Sequence, residues 1–291
     1  MAGTKKVDMI YRPEFLPATF VERDHVRLAY GDVGPKDGPG VFLVHGLAAS
    51  GMQFTADAHY FADLGYRVIV PDLRGHGRSG KPAQTDLDAF SIAELSNDIL
   101  AVADHVGAQH FHYVGNSLGG IIALWALADH GPRFRSFASF GTTYSLTTPK
   151  AGVGVLKWIY KVMGPNLIGK IGAIGTTKNK QARPLVEAML RSIDVDVVTK
   201  IVGHVGDYDL IDRAVKYDGP ILMLKCGQDK SVNAALSATL AQMQPRENFT
   251  LIDVPNGGHC ANLDATDEVR QHLLNFWQRV EHDRTPLAAR S

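Results

Sequence analysis

The chain has 291 residues, 45% of them apolar and 21% charged, enough material to bury the core of one large α/β domain. Thirty Lys and Arg balance thirty Asp and Glu, and the formal net charge of zero argues against a nucleic-acid or polyanion partner. Two cysteines, Cys226 and Cys260, make no disulfide framework, the first ten residues hold no apolar run of signal-peptide length, and no stretch reaches the roughly 18 apolar residues of a membrane span, so a cytoplasmic setting is the expectation.

In chain order, residues 19–31 carry two strand-like runs split by Arg23-Asp24-His25, which predicts a hairpin. Val41-Phe-Leu-Val44 is a continuous apolar run, the mark of a strand covered on both faces. A helix is expected from about Gln53 to Leu64, then a strand over Tyr66–Val70 and a turn-rich loop from Asp72 to Pro82. Ser91-Ile-Ala-Glu94 reads as a capping box opening a helix to about Val106. Phe111–Val114 reads as a buried strand, followed after Gly-Asn-Ser-Leu-Gly by a helix and by the strand Ser136–Phe140. This alternation predicts a parallel sheet with helices on both faces.

From about Tyr144 to Tyr217 the alternation gives way to helical, Gly-broken sequence. It resumes with a strand over Ile221–Cys226, a helix around Ala234–Met243, a strand over Phe249–Val254 and a last helix from about Asp267 to Glu281, where Val269, Leu273, Phe276 and Val280 recur at helical spacing. The organisation expected is a sheet domain made of 1–144 and 218–291, with a helical insertion over 145–217.

Gly115-Asn-Ser-Leu-Gly119, between strand and helix, fits the sharp turn that lifts a serine hydroxyl out of the backbone, and names Ser117 as candidate nucleophile. A serine hydroxyl needs a base, and the base needs an orienting group. Asp229 is the only acid in the loop after Cys226, and His259 the only histidine in the loop after Val254. Asp229 also reads as a helix N-cap. The backbone N–H groups of Leu47 and Leu118 are the candidate oxyanion donors. This chemistry calls for no cofactor and no metal.

His45-Gly46, Asp72–Ser79, Gly115–Gly120, Gly227-Gln-Asp229 and Gly258-His259 together resemble an α/β-hydrolase of the capped kind. The resemblance implies an eight-stranded, mostly parallel sheet with a lid, residues 145–217, inserted after the sixth strand over Ser117. It also implies structural roles for His45 and the Arg74–Ser79 loop. A serine rather than an aspartate at the elbow argues against epoxide hydrolase and haloalkane dehalogenase chemistry. The elbow Gly-Asn-Ser-Leu-Gly-Gly is similar to that of hydrolases splitting carbon–carbon bonds in ring-fission products. The segment His259-Cys-Ala-Asn-Leu-Asp264 looks closer to carboxylesterases and enol-lactonases of aromatic catabolism. The expected activity is hydrolysis of a carboxylic ester or lactone through an acyl-enzyme. Carbon–carbon hydrolysis, perhydrolase or haloperoxidase-type activity, and a receptor that binds ligand without turnover stay open as alternatives.

Cys260 is expected on the pocket floor beside His259. Trp158, Tyr160 and Met163 read equally as pocket lining from the lid and as the lid's own core. Residues 130–186 contain no Asp or Glu but nine Lys or Arg: Arg133, Arg135, Lys150, Lys157, Lys161, Lys170, Lys178, Lys180 and Arg183. Three readings stand: a solvated helix face, attraction of an anionic small-molecule substrate, and peripheral contact of Val153–Ile174 with an anionic membrane surface.

Overall fold

The computed structural model describes residues 11–147 and 153–284, the side chains of 153–163 and 284 excepted. The expected hairpin forms from β1 (Ala18–Arg23) and β2 (Val26–Val33), joined at Asp24 and His25, both with positive φ (49° and 60°). Two successive left-handed residues give the turn a twist that matches the flanking strands. Then come β3 (Gly40–Val44), α1 (Thr55–Asp63), β4 (Arg67–Pro71), α2 (Ile92–His105), β5 (Phe111–Asn116), α3 (Leu118–His130) and β6 (Phe134–Phe140). At the start of α2 the Ser91 side chain accepts from the Glu94 N–H, as the capping box requires.

Between β6 and the next strand of the large sheet lie β7 (Ser145–Thr147), α4 (Val153–Thr176), α5 (Arg183–Arg191), α6 (Val195–Val205), β8 (Asp207–Asp209) and α7 (Ile211–Val215). The segment is mostly helical, but β7 and β8 pair antiparallel in a two-stranded sheet at its base. Strands of three residues are too short to show a period in sequence. The chain closes with β9 (Ile221–Cys226), α8 (Lys230–Ala235), α9 (Ser237–Met243), β10 (Phe249–Val254), α10 (Ala261–Asp264) and α11 (Thr266–Arg284). The single helix expected around 234–243 is two, because Asp229 caps a start at Lys230.

The large sheet has eight strands in the order β1-β2-β4-β3-β5-β6-β9-β10, antiparallel at β1–β2–β4 and parallel elsewhere. Alternating strand residues face two cores. One lies under α2 and α3 and includes Phe42, Tyr113, Leu95, Ile99 and Leu124. The other lies under α1 and α11 and includes Val41, Val114, Phe61, Val269, Leu273, Phe276 and Val280. Trp277 anchors the second, fully buried with its ring 4.7 Å from Phe61 and 5.2 Å from Tyr66. A third cluster, with Met52, Ala173, Leu185, Val186, Met189, Cys260 and Leu263, joins the segment after β6 to the loops at the carboxyl ends of the strands. Parallel α/β sheets place ligands at that edge.

Candidate active site

The turn from β5 into α3 is built by exclusion. A Cβ on Gly115 would lie 2.3 Å from the Gly120 nitrogen, and one on Gly119 would lie 2.2 Å from the Val44 carbonyl oxygen, both rigid backbone. Strand and helix therefore close on each other, and Ser117 takes the strain with φ 50°, ψ −115°. Few non-glycine residues adopt such a backbone, and holding one there costs on the order of 1–3 kcal/mol. The Ser117 N–H is tied to the Phe140 carbonyl at the end of β6 (3.0 Å), which fixes the turn from the other side.

Asp229 and His259 meet. His259 Nδ1 lies 2.7 Å from Asp229 Oδ2, and an ionised carboxylate there requires that Nδ1 carry the proton. Burial works to raise the Asp229 carboxyl, but the hydrogen bond and charge of His259, the Val232 N–H and Lys178 outweigh it, and the group sits below the usual carboxylate range. Asp229 is also the N-cap of α8, its Oδ1 accepting from the Val232 N–H (3.3 Å). The contact with His259 and the cap use different oxygens, so one does not displace the other.

The elbow and the histidine loop are tied by Asn116, the residue before Ser117. Its buried Nδ2 donates to the His259 carbonyl (2.8 Å) and to the Phe140 carbonyl (3.2 Å). Its Oδ1 accepts from Gln53 Nε2 (2.9 Å), which also donates to Asn262 Oδ1 (3.1 Å). Asn262 Nδ2 donates to Asp57 Oδ2 (2.8 Å), and Asp57 Oδ1 accepts from Arg270 Nε (2.7 Å). A buried polar chain thus runs from the elbow to α11. Sequence reading missed all five residues, although Asn116 and Asn262 sit inside motifs it singled out.

His45-Gly46-Leu47 follows β3 as expected. A Cβ on Gly46 would lie 3.2 Å from the Ser117 Cβ and from Asn116 Oδ1, a tight fit that glycine relieves where this loop approaches the elbow. Among the described residues, neither the Leu47 nor the Leu118 N–H is taken by an acceptor. Leu118 opens α3, where the helix dipole adds positive potential. His45 has the structural place expected of it: Nε2 accepts from the Leu73 N–H (3.1 Å) while Nδ1 donates to the Gly46 carbonyl (2.8 Å). Burial brings its pKa down to about 4. The Asp72–Ser79 loop is likewise held from within. Asp72 accepts from the Gly51 and Arg78 N–H groups, and Arg74 makes a buried two-point pair with Asp98, both contacts 2.6 Å.

A cavity of about 80 Å³ lies beside His259, lined by Gly46–Ala49, Asn116 and Cys260 from the sheet domain and by Thr176, Val186, Met189 and Leu190 from the segment after β6. Cys260 lines this cavity, and burial raises its thiol well above the usual range. The side chains of Trp158, Tyr160 and Met163 lie outside the described residues. A larger open groove of about 590 Å³ runs along α11, lined by residues such as His272, Arg279 and His282. It shares no residue with the smaller cavity.

A doubly covered, mostly parallel eight-stranded sheet with a strained serine at a glycine-locked strand–helix turn defines the α/β-hydrolase class. Residues 39–266 match the family described as α/β hydrolase fold, and the chain belongs to that family. It is 27% identical over 259 residues to a magnesium-chelatase 30 kDa subunit of Rhodobacter capsulatus, covering 84% of this chain and 89% of that one. It is 25% identical over 268 residues to a putative carbamate hydrolase, RutD, of Variovorax paradoxus, covering 89% and 99%. In fold it is similar to the enol-lactonase of Burkholderia xenovorans, with TM-score 0.77, 19% identity and coverage of 89% and 100%. The chain is thus an α/β-fold protein of the hydrolase family.

Proposed function

We propose that the chain is a serine hydrolase that cleaves a small carboxylic ester or lactone through an acyl-enzyme. The observation that carries this reading is the 2.7 Å contact between His259 Nδ1 and Asp229 Oδ2, in a loop tied by Asn116 to the strained Ser117 turn. With Nδ1 protonated and bound to Asp229, His259 Nε2 is left free as the base. It takes the Ser117 hydroxyl proton as the oxygen attacks the substrate carbonyl, and the Leu47 and Leu118 N–H groups receive the oxyanion. The carbon–oxygen bond to the leaving group breaks, and that oxygen departs with the proton from His259. For a lactone the leaving oxygen remains attached through the acyl chain. A water then gives its proton to His259, attacks the acyl carbon, and Ser117 recovers its hydrogen.

We also take residues 145–217 as a lid, supported by the four residues of this segment that line the cavity beside His259. At about 80 Å³ that cavity is far below the roughly 300 Å³ at which drug-sized pockets begin. No Lys or Arg is among the described residues that line it, and Lys170, Lys178 and Lys180 are exposed. A short neutral acyl group fits that lining better than the anionic one suggested by the basic sequence. The similarity to proteins named carbamate hydrolase and enol-lactonase supports acyl chemistry. A second reading, binding without turnover, draws on the similarity to a protein named as a chelatase subunit.

A fluorophosphonate probe followed by a substrate panel tests the proposal. Labelling of the wild type and none of Ser117→Ala is expected, with turnover of short aryl esters and lactones and none of a vinylogous 1,5-diketone. An unlabelled wild type would remove the nucleophile, labelling without turnover would favour the binding reading, and diketone cleavage would favour carbon–carbon hydrolysis.

A further inference from the structure

The second half of α4 is amphipathic in an inverted sense. Its buried side is small: Gly169 and Ala173 are buried and Gly172 is half-buried. A Cβ on Gly169 would lie 2.7 Å from Arg191 Cγ, and one on Gly172 would lie 2.7 Å from Leu190 Cδ1, so these glycines let α4 and α5 pack closely. Three large apolar side chains point outward, while Ile168 is half-buried. Leu167, Ile171 and Ile174 are 47%, 53% and 55% exposed, and they account for three of the five exposed large hydrophobics among the described residues. At 3.6 residues per turn they fall with exposed Lys170 on one arc of roughly 100°. Lys178 and Lys180, also exposed, follow just beyond the helix end. No acidic residue occurs between His130 and Val186 in sequence, although Lys178 lies beside Asp264, whose Oδ1 accepts from its N–H (2.8 Å), and its charge acts on Asp229.

We propose that this face of α4 docks on an anionic lipid surface, with Leu167, Ile171 and Ile174 entering the headgroup boundary and Lys170 and Lys180 meeting lipid phosphates. A helix with an apolar stripe flanked by lysines and free of carboxylates binds such a surface through apolar burial and electrostatic attraction together. A second copy of the chain is the weaker occupant. Three half-exposed side chains offer on the order of 300 Å², against about 800 Å² per partner in a stable interface. Packing stripe against stripe would also bring the lysines of this face toward their own copies. A bilayer needs no complementary shape and no minimum area. Docking requires no turnover, so it stands or falls separately from the serine hydrolase proposal.

The experiment is co-sedimentation of the full chain with phosphatidylcholine vesicles, with and without phosphatidylglycerol, at low and high salt. Binding to the phosphatidylglycerol vesicles at low salt is expected, and salt or pure phosphatidylcholine should weaken it roughly tenfold or more. Ser117→Ala should bind like the wild type. Ile171→Asp with Ile174→Asp, and separately Lys170→Glu with Lys180→Glu, should each weaken binding by a similar factor at an unchanged melting temperature. No binding to either vesicle, equal binding to both, or full binding by both double variants would overturn the proposal. So would a dimer in sedimentation velocity that Ile171→Asp dissociates without vesicle binding by the wild type.

Discussion

Glycines at the elbow and the uncontacted glycines of α4, Gly164 and Gly175, obey different constraints. Gly115 and Gly119 each have a backbone atom within 2.3 Å of where a Cβ would stand, whereas Gly164 and Gly175 of α4 have nothing within 4 Å. At the elbow the residue type follows from close approach of strand, helix and the β3 loop. In α4, Gly164 answers only to its own φ of 70° beside Pro165, and Gly175 to no contact at all. A motif is therefore readable where backbone meets backbone, and composition drifts where a helix faces solvent or something outside the chain.

The comparison is sharpest in activity. Ser117→Ala should lower kcat/KM for a short aryl ester by about 10⁴-fold or more, and Asp229→Asn by about 10⁴-fold, whereas Lys170→Ala should leave it unchanged. Steady-state kinetics on the purified proteins checks all three, and a tenfold effect or less at Ser117 would erase the distinction. Next is folding. Gly119→Ala has no room against the Val44 carbonyl, and soluble yield or thermal midpoint should collapse, while Gly175→Ala should gain about 0.5–1 kcal/mol in denaturant titrations. Equal responses would mean that the two regions are not constrained differently.

Arg270→Met tests the buried chain beneath the elbow. It leaves the Asp57 carboxylate, 6% exposed, without its cation, and a loss of about 3–5 kcal/mol in unfolding free energy is expected. Asp57→Asn with Arg270→Met removes both charges and should recover much of the loss. A single variant as stable as the wild type would show that the chain bears little load.

A further difference is in pH. His45 and His76 are held neutral to about pH 4, His45 by burial, His76 by burial and by the neighbouring His45 charge. The unfolded chain takes up those protons near pH 6.5. The unfolded state thus binds more protons in that window, and the stability these rings contribute is full above pH 6.5 and lost as pH falls toward 4. Urea midpoints at pH 7 and pH 4.5 should differ in that direction, and less so in His76→Gln. An unchanged difference in His76→Gln would remove that ring from the account.

What the sequence disclosed follows the same division. The β9 and β10 bounds, the α2 capping box and the four α11 core positions were legible because each rests on local period or local hydrogen bonding. Asp229 was legible twice, as candidate acid and as cap, because both readings follow from its place after a strand. Asn116 was visible only as a letter in the elbow. Its partners at Phe140 and His259 lie 24 and 143 positions away, and the Asp57–Arg270 pair spans 213, separations that no local pattern reports. The β7–β8 pair was too short to read, and the second half of α4 defeats periodicity because Gly169 and Ala173 are buried while Leu167, Ile171 and Ile174 are exposed.

The central claim is that Ser117 carries the acyl group. Rapid quench of the wild type with p-nitrophenyl acetate, followed by intact mass and peptide mapping, tests it directly. A burst of nitrophenol matched by one acetyl adduct on the peptide containing Ser117, absent in Ser117→Ala, is the predicted result. Turnover of the ester with the adduct on another residue, or a Ser117→Ala protein that retains the burst, would contradict it.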